Sequence, residues 1–488
     1  MQTMKTLNYV QSRLADTFKN KMFEGELRRG IFCAPTGTGK TGTARAMINL
    51  FANRFFKDGF GAGYSFFLTP RIGLTDQQAT ALEDFRISGD LYPDADLMVH
   101  RVHSVGDGKS MQELADAIQQ AKSENKYLVF CGTYQSADCL TKLTPDLIVC
   151  DEAHNLVSEK FNTTVMDNLC QNATRVFLTA TPKEVKGENN TGFNNTAMYG
   201  EYMVQIAPRR AIEERLIIIP RLHIFKAISE KKENQTLISQ VCHIFKNHRA
   251  FNPKIPTKVL YAMNGTEPVD VVRAHHKFLK EKLGVKVFTI VSTGECGNPY
   301  IDGVKYDRDE FFDEFNNYPG NAIMCHYRIV SEGIDLPSLT GVAFFTPKNM
   351  IDTVQTVGRC IRVHPEDRDI NGVAKPLIER IKKYGLVTVV VYNDDTSIAA
   401  TVKDFVKNMR RAGFDFFRET VLVSHERSNY RDNDSAIDNM MDFDEEEEDL
   451  TTQFEVEMTI SEIEEEELIE EMKAEKLQKN SKWEYCLL

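Results

Sequence analysis

The sequence predicts an α/β fold with two successive parallel-sheet units, and three observations carry that expectation. Short apolar, β-branched or aromatic runs alternate with longer polar stretches of helical pattern, the rhythm of a parallel sheet flanked by helices. A glycine-rich loop follows the first strong strand directly and opens into a helix-forming run. A second series of strands starts after Pro220, beyond a polar Gly/Asn-rich break. With 488 residues and roughly 150 residues per domain, each unit has enough chain to bury a core.

In order along the chain, the first unit offers strands at Ile31–Ala34, Ser65–Leu68, Leu97–Val102, Tyr127–Cys131, Leu147–Cys150 and Val176–Leu178. The segment from Gly187 to Thr196 is a loop, because its Gly and Asn residues favour turns, and a connector runs on to about Ile219. The second unit offers Leu222–Phe225, Val259–Ala262, Val287–Val291, Ala322–Cys325, Val342–Phe345 and Val387–Val391. The expected boundaries are therefore 1–219, 220–429 and a tail over 430–488.

The tail is set apart by charge. The whole chain carries a formal −12, which taken alone argues against a nucleic-acid-binding protein. From Tyr430 onward, however, 21 acidic residues meet 5 basic ones, so the body up to Asn429 is mildly basic at +4. The run Asp442 to Asp449 repels itself and buries too little apolar surface to offset chain entropy, so a largely disordered acidic tail is expected. Ser461 and Glu464 have capping-box spacing for one short helix within it. The tail is either a solubilising appendage or an acidic arm that competes with phosphate backbones for the basic surface of the body or recruits a basic protein partner, with Trp483 as an anchor.

Other classes are excluded by composition. Hydrophobic residues at 42% and charged residues at 27% match ordinary globular chains. No apolar run reaches the roughly 18 residues of a membrane span. The first twenty residues mix Lys5, Arg13, Asp16 and Lys19 into their apolar positions, unlike a signal peptide, and an intracellular chain is expected. The ten cysteines contain no Cys-x-x-Cys pair, and several sit in apolar runs, so they read as buried hydrophobes and not as metal ligands.

Three motifs carry chemistry. Ala34-Pro-Thr-Gly37-Thr38-Gly39-Lys40-Thr41 follows a strand and precedes a helix. Its glycines let backbone N–H groups approach the phosphates of ATP, Lys40 reaches the β/γ-phosphates, and Thr41 holds Mg²⁺. Asp151-Glu152-Ala153-His154 stands at the carboxyl end of a buried strand, where Asp151 serves Mg²⁺ and Glu152 activates the attacking water. Gln355-Thr-Val-Gly358-Arg359-Cys-Ile-Arg362 puts two guanidinium groups on one helix face, as charge neutralisation during phosphoryl transfer requires.

With these motifs in place, the chain resembles a superfamily 2 helicase or translocase of the DEAH/DExH-box form. The likeness runs from about Gln11 to about Asn393. Thr69 to Gln77 resembles motif Ia, Gly132 to Ser136 a later strand-contacting motif, Thr179 to Pro182 motif III, Val259 to Ala262 motif IV, and Ser331 to Pro337 motif V. Within the superfamily, the Gln355 to Arg362 and Gly333 to Pro337 patterns are closest to phage and large-virus DNA helicases, excision-repair helicases and restriction-enzyme motors. The resemblance implies two tandem RecA-like domains with ATP at their interface, opened and closed in turn so that the motor steps along nucleic acid, DNA more than RNA.

Roles follow by matching position. Gln355, Arg359 and Arg362 join Lys40 and Glu152 in catalysis. Gln11, Gly37, Thr38, Gly39, Gly333 and Asp335 contact the nucleotide. His154, Thr179 and Thr181 couple nucleotide state to nucleic acid, and Pro70, Arg71, Thr133 and Ser331 contact the strand backbone. Gln11 departs from the family pattern, in which the adenine-reading glutamine directly follows a tyrosine; here Val10 stands between Tyr9 and Gln11. A second reading, an ATP-gated nucleic-acid clamp without processive unwinding, rests on the compact build and the acidic tail. A P-loop kinase or transporter ATPase has no need of the Thr69 or Gln355 segments.

Overall fold

The computed structural model describes residues 4–58, 63–102, 110–169, 171–186, 190–227, 234–291, 298–327, 336–346, 349–369, 373–392, 402, 405–409, 412, 414 and 422–425. Ser331, Gly333 and Asp335 lie outside the described residues, as do the acidic tail and the short helix expected in it. The chain forms two parallel α/β sheets of RecA-like type, and its contacts divide it into two compact units that are not simple halves of the sequence. The first holds residues up to Ile219, the segment ending at Leu339, and Val354–Lys383; the second holds the remainder.

In the first unit the strands are β1 (Met4–Lys5), β2 (Arg29–Cys33), β3 (Tyr64–Thr69), β4 (Arg86–Ile87), β5 (Leu97–Val102), β6 (Tyr127–Thr133), β7 (Leu147–Cys150), β8 (Thr174–Thr179) and β9 (Glu201–Gln205). Strands β1 and β4 make a separate parallel pair. The other seven form one sheet in the order β5-β6-β3-β7-β8-β2-β9, with every pairing parallel.

Both faces of this sheet are covered, as a parallel sheet requires. The period-2 alternation of strand side chains sends Phe32, Phe67, Val149 and Val176 into one core with Leu14, Met47 and Phe51 of the helices Tyr9–Phe18 and Lys40–Asp58. It sends Ile31, Phe66, Ile148 and Phe177 into another core with Leu114 and Leu156. The six strands expected in this region are all present. The stretch expected to be a bare connector is more structured than that: β9 adds to the sheet edge beside β2, and Pro208–Glu213 is a short helix with proline at its start. Met203 and Val204 of β9 dock on the core, and that tertiary contact outweighs the weak local signal.

In the second unit the strands are β10 (Ile219–Ala227), β11 (Lys258–Ala262), β12 (Lys286–Val291), β13 (Asn298–Ile301), β14 (Val304–Lys305), β15 (Ala322–Tyr327), β16 (Gly341–Phe344), β17 (Tyr384–Tyr392) and β18 (Leu422–His425). They form one sheet in the order β14-β13-β12-β15-β11-β16-β17-β10-β18. The pairings β12–β15, β15–β11, β11–β16, β16–β17 and β10–β18 are parallel, and at one edge β13 and β14 form an antiparallel extension on β12. Val241 and Phe245 of the helix Asn234–Phe251 pack on Tyr261, Ile323 and Ala343. Below them, His223 Nδ1 and His248 Nε2 each lie 2.9 Å from Thr388 Oγ1. Both rings are almost wholly buried, and burial pushes the His223 pKa down to about 3 and that of His248 well below the ordinary histidine value.

Candidate active site

Strand order brings the chemical motifs together. In the first sheet β7, β8 and β2 are neighbours, so the acidic pair after β7, the Thr179 to Thr181 segment at the end of β8 and the glycine-rich loop after β2 leave from adjacent carboxyl ends. In parallel α/β sheets that edge is where ligands bind.

The loop is built for close backbone approach. Gly37 has φ +90° and Gly39 has φ +86°, a region L side chains rarely enter, and the helix begins at Lys40. Thr38 Oγ1 caps the turn by donating to Pro35 O at 2.8 Å. Asn8 and Gln11 brace the loop from the neighbouring helix, where they form a reciprocal capping box at its N-terminus. From there Asn8 Nδ2 donates to Thr38 O at 3.1 Å, and Gln11 Nε2 donates to Gly39 O at 2.9 Å. Gly42 has no Cβ because the Gln11 amide occupies that space. Thr41 Oγ1 donates to Gln78 Oε1, from the helix Ile72–Asp84.

The acidic pair is electrostatically divided. Asp151 is buried, and burial together with neighbouring Glu152 pushes its pKa up to about 7 against the pull of Lys40. Burial also pushes Glu152 upward, but Lys40, His154, Arg359 and Arg362 outweigh it and hold that carboxyl below its usual range. Glu152 has a left-handed backbone, φ 49° and ψ 46°, a conformation that costs a non-glycine residue roughly 1 kcal/mol or more and that clusters at functional sites. Tyr134 supports the turn, its hydroxyl donating to Asp151 O at 2.5 Å.

His154 links three motifs. Its Nδ1 lies 3.2 Å from Thr179 Oγ1 and 3.6 Å from Glu152 Oε2, and its Nε2 lies 3.3 Å from Gln355 Nε2. Thr179 Oγ1 in turn accepts from Thr181 N at 3.2 Å. The arginine-bearing helix, Met350–Cys360, closes on the loop at Gly358, where a Cβ would fall 3.0 Å from Thr36 Cβ. The Arg362 side chain passes beside Gly37. Burial and Arg368 push the Arg362 pKa down to about 10, with Glu152 pulling the other way.

Among the described residues, Thr36 Oγ1, Asp151 Oδ1, Glu152 Oε2, Thr181 Oγ1 and Gln355 Oε1 are buried polar atoms of this region without a hydrogen-bond partner. Buried polar atoms are ordinarily paired, so a polar ligand such as ATP with its metal fits this set. Among the described residues no group of three or more His, Cys, Asp or Glu could cage a metal ion. Thr41 and Asp151 are the residues that could hold a Mg²⁺, together with phosphate and water ligands.

The predicted strand-contacting residues differ among themselves. Arg71 is exposed and Pro70 half-buried at the end of β3. Thr133, at the end of adjacent β6, is buried, and its hydroxyl bonds Ser136 in a closed turn.

Residues 4–184 match the family model described as the res subunit of type III restriction enzymes, and residues 237–364 match the helicase conserved C-terminal domain. The chain belongs to the superfamily 2 helicases. This superfamily 2 protein is 22% identical over 258 residues to the probable helicase A859L of African swine fever virus (isolate Tick/South Africa/Pretoriuskop Pr4/1996), a match covering 50% of the chain and 27% of that protein. Its fold is similar to the ATP-dependent Type ISP restriction-modification enzyme LlaBIII bound to DNA, with TM-score 0.61, 17% identity, and coverage of 84% of the chain and 30% of the enzyme. It is also similar to a fragment of a putative HsdR subunit of a type I restriction enzyme from Vibrio vulnificus, with TM-score 0.53, 17% identity, and coverage of 87% and 70%. The chain thus spans about a quarter to a third of the first two relatives. No helix among the described residues is long and apolar enough to cross a membrane.

Sequence reasoning missed several residues of this superfamily 2 site. Asn8 was recoverable, because Asn8-x-x-Gln11 is a capping-box spacing. Gln78, Thr36 and Tyr134 act through tertiary hydrogen bonds or burial, for which local sequence carries no signal.

Proposed function

We propose that the chain is an ATP-driven nucleic-acid translocase or helicase acting on DNA. The feature that carries this reading is the Glu152 carboxyl just after β7, which the charges of Lys40, His154, Arg359 and Arg362 hold below its usual range. An ionised carboxylate beside three cations is a base for a water molecule and a counter-charge that a γ-phosphate can replace. In this reading Lys40 binds the β/γ-phosphates, and Glu152 orients the attacking water and takes its proton. Arg359 and Arg362 neutralise the charge that builds on the phosphoryl oxygens. Mg²⁺ entering with ATP would be held by Thr41 and Asp151 and would offset phosphate charge.

Gln355 and His154 connect this chemistry to Thr179 and Thr181, so that nucleotide state is passed toward the Pro70 and Arg71 surface. Ser331, Gly333 and Asp335 complete the strand and nucleotide contacts on the strength of the family pattern. DNA is favoured by the restriction-enzyme relatives, one of which is bound to it. Backbone phosphate contacts predict affinity that falls with salt and little sequence preference. The test is ATPase activity across single-stranded DNA, duplex, forked DNA and RNA, beside strand displacement, in wild type and Lys40→Ala. Stimulation by DNA that is abolished by Lys40→Ala supports the reading, and undiminished turnover in that variant overturns it. Hydrolysis without displacement assigns translocation or clamping in place of unwinding.

A further inference from the structure

The segment after the arginine-bearing helix is knit by buried polar groups that the family motifs do not include. Lys382 is wholly buried. Its Nζ donates to Leu339 O at 2.5 Å and to Arg362 O at 3.0 Å. Asp367, also buried, fixes the approach of that lysine: its two carboxylate oxygens accept from Ile381 N and Lys382 N, both at 2.9 Å. From the opposite side, Ile217 pairs with Arg362 as an isolated antiparallel bridge, and Ile218 N donates to Ile361 O at 2.8 Å. Arg368 Nε donates to Val363 O at 3.0 Å. The main chain of Arg362 is thus held on both sides, and one of the two holds is a single ammonium group.

Enclosing that ammonium is costly. Burial pushes the Lys382 pKa down to about 7, and Arg368 and Arg362 reinforce the shift against Cys360 and Asp367. An apolar side chain of the same length would avoid the cost. What the lysine adds is a tie between two carbonyls far apart in sequence. One follows the Ser331 to Pro337 motif by two residues, and the other belongs to the second arginine of the Gln355 to Arg362 motif.

We propose that Lys382 is a positioning residue for phosphoryl transfer: it sets the Arg362 guanidinium by pinning the Arg362 and Leu339 carbonyls together. The inference rests on the reading of Arg362 as a catalytic arginine. Lys382 acts here through the two backbone carbonyls that its ammonium group bonds. A displacement of about 1 Å in a catalytic group lowers rates on the order of a hundredfold, so the effect belongs in kcat and not in ATP affinity.

The experiment is a double-mutant cycle on the full chain with saturating single-stranded DNA, using Lys382→Met, Arg362→Ala and the pair. Lys382→Met is expected to lower kcat at least tenfold, to leave the Kd of a fluorescent non-hydrolysable ATP analogue within threefold, and to leave the melting midpoint within a few degrees. The double variant should be no slower than Arg362→Ala alone, because a residue that acts through Arg362 has nothing left to position. Rate losses that multiply in the double variant, or an unchanged kcat in Lys382→Met, overturn the proposal. If Lys382→Met does not fold, Asp367→Asn, which loosens the same lysine, takes its place in the cycle with the same expected outcomes. Absence of DNA-stimulated hydrolysis in the wild type is a different result, and it refutes the proposed function itself.

Discussion

Replacing Glu152 by Gln removes the negative charge from a site where Lys40, His154, Arg359 and Arg362 remain. Two consequences follow, and they separate chemistry from folding. General-base assistance is worth roughly 10²- to 10⁴-fold, so turnover should fall by that factor, about 3–5 kcal/mol of barrier. Removing one partner from a fully buried charge cluster costs about 3–5 kcal/mol. The Glu152 side chain is 16% exposed, so solvent screening should reduce the folding loss to roughly 2 kcal/mol. For a unit of about 200 residues that is roughly a 4–8 °C drop in melting midpoint without nucleotide. ATP brings its own negative charges into the same cations, so it should stabilise Glu152→Gln more than it stabilises the wild type. Calorimetric or dye-based melting with and without ATP, beside single-turnover hydrolysis, reads both numbers. Hydrolysis above a tenth of the wild-type rate would falsify the assignment of Glu152 as base. An ATP-induced shift no larger than in wild type would show that the carboxylate is not the counter-charge of those four residues.

Other perturbations test the scaffold around the site. Gln11→Ala removes the brace on Gly39 O and half of the capping box, an expected loss of about 2 kcal/mol visible by urea denaturation, together with weaker ATP binding; unchanged stability would contradict the brace. Gly358→Ala sets a methyl 3.0 Å from Thr36 Cβ and should lower kcat roughly tenfold while leaving the melting midpoint within a few degrees, and steady-state kinetics showing full activity would mean that the helix and loop need not approach so closely. The pair His223 and His248 makes the second unit acid-sensitive. Their folded pKa values lie below the unfolded value near 6.5, so the stability they permit is complete above that pH and is lost as pH falls through it. From pH 7.5 to 5.5 each histidine costs roughly 1.4 kcal/mol, a loss that should appear in urea midpoints and shrink when both are replaced by Gln.

Much of this was legible in the sequence because the strongest signals are local. Buried parallel strands write themselves as short runs such as Leu147-Ile-Val-Cys150, and the loop glycines are dictated by positive φ at Gly37 and Gly39. Strands β9 and β13 escaped because Glu201-Tyr-Met-Val-Gln205 carries polar residues at both ends and β13 contains Pro299, a weak signal except at a sheet edge. Both are stabilised by neighbours that sequence does not reveal. The glycine-rich loop and the acidic pair were expected from chemistry and spacing, whereas the left-handed backbone of Glu152, the hold of Gln78 on Thr41 and the burial of Thr133 depend on parts of the chain distant in sequence. The grouping of Val354–Lys383 with the first unit is likewise a fact of packing that no linear reading of the motif order contains.

The pairing of Ile217 and Ile218 with Arg362 and Ile361 has a mechanical consequence. β10 begins at Ile219, the very next residue after Ile218. Peptide bonds leave little slack over so short a distance, so glycines inserted after Ile218 are expected to loosen the main-chain hold on Ile361 and Arg362.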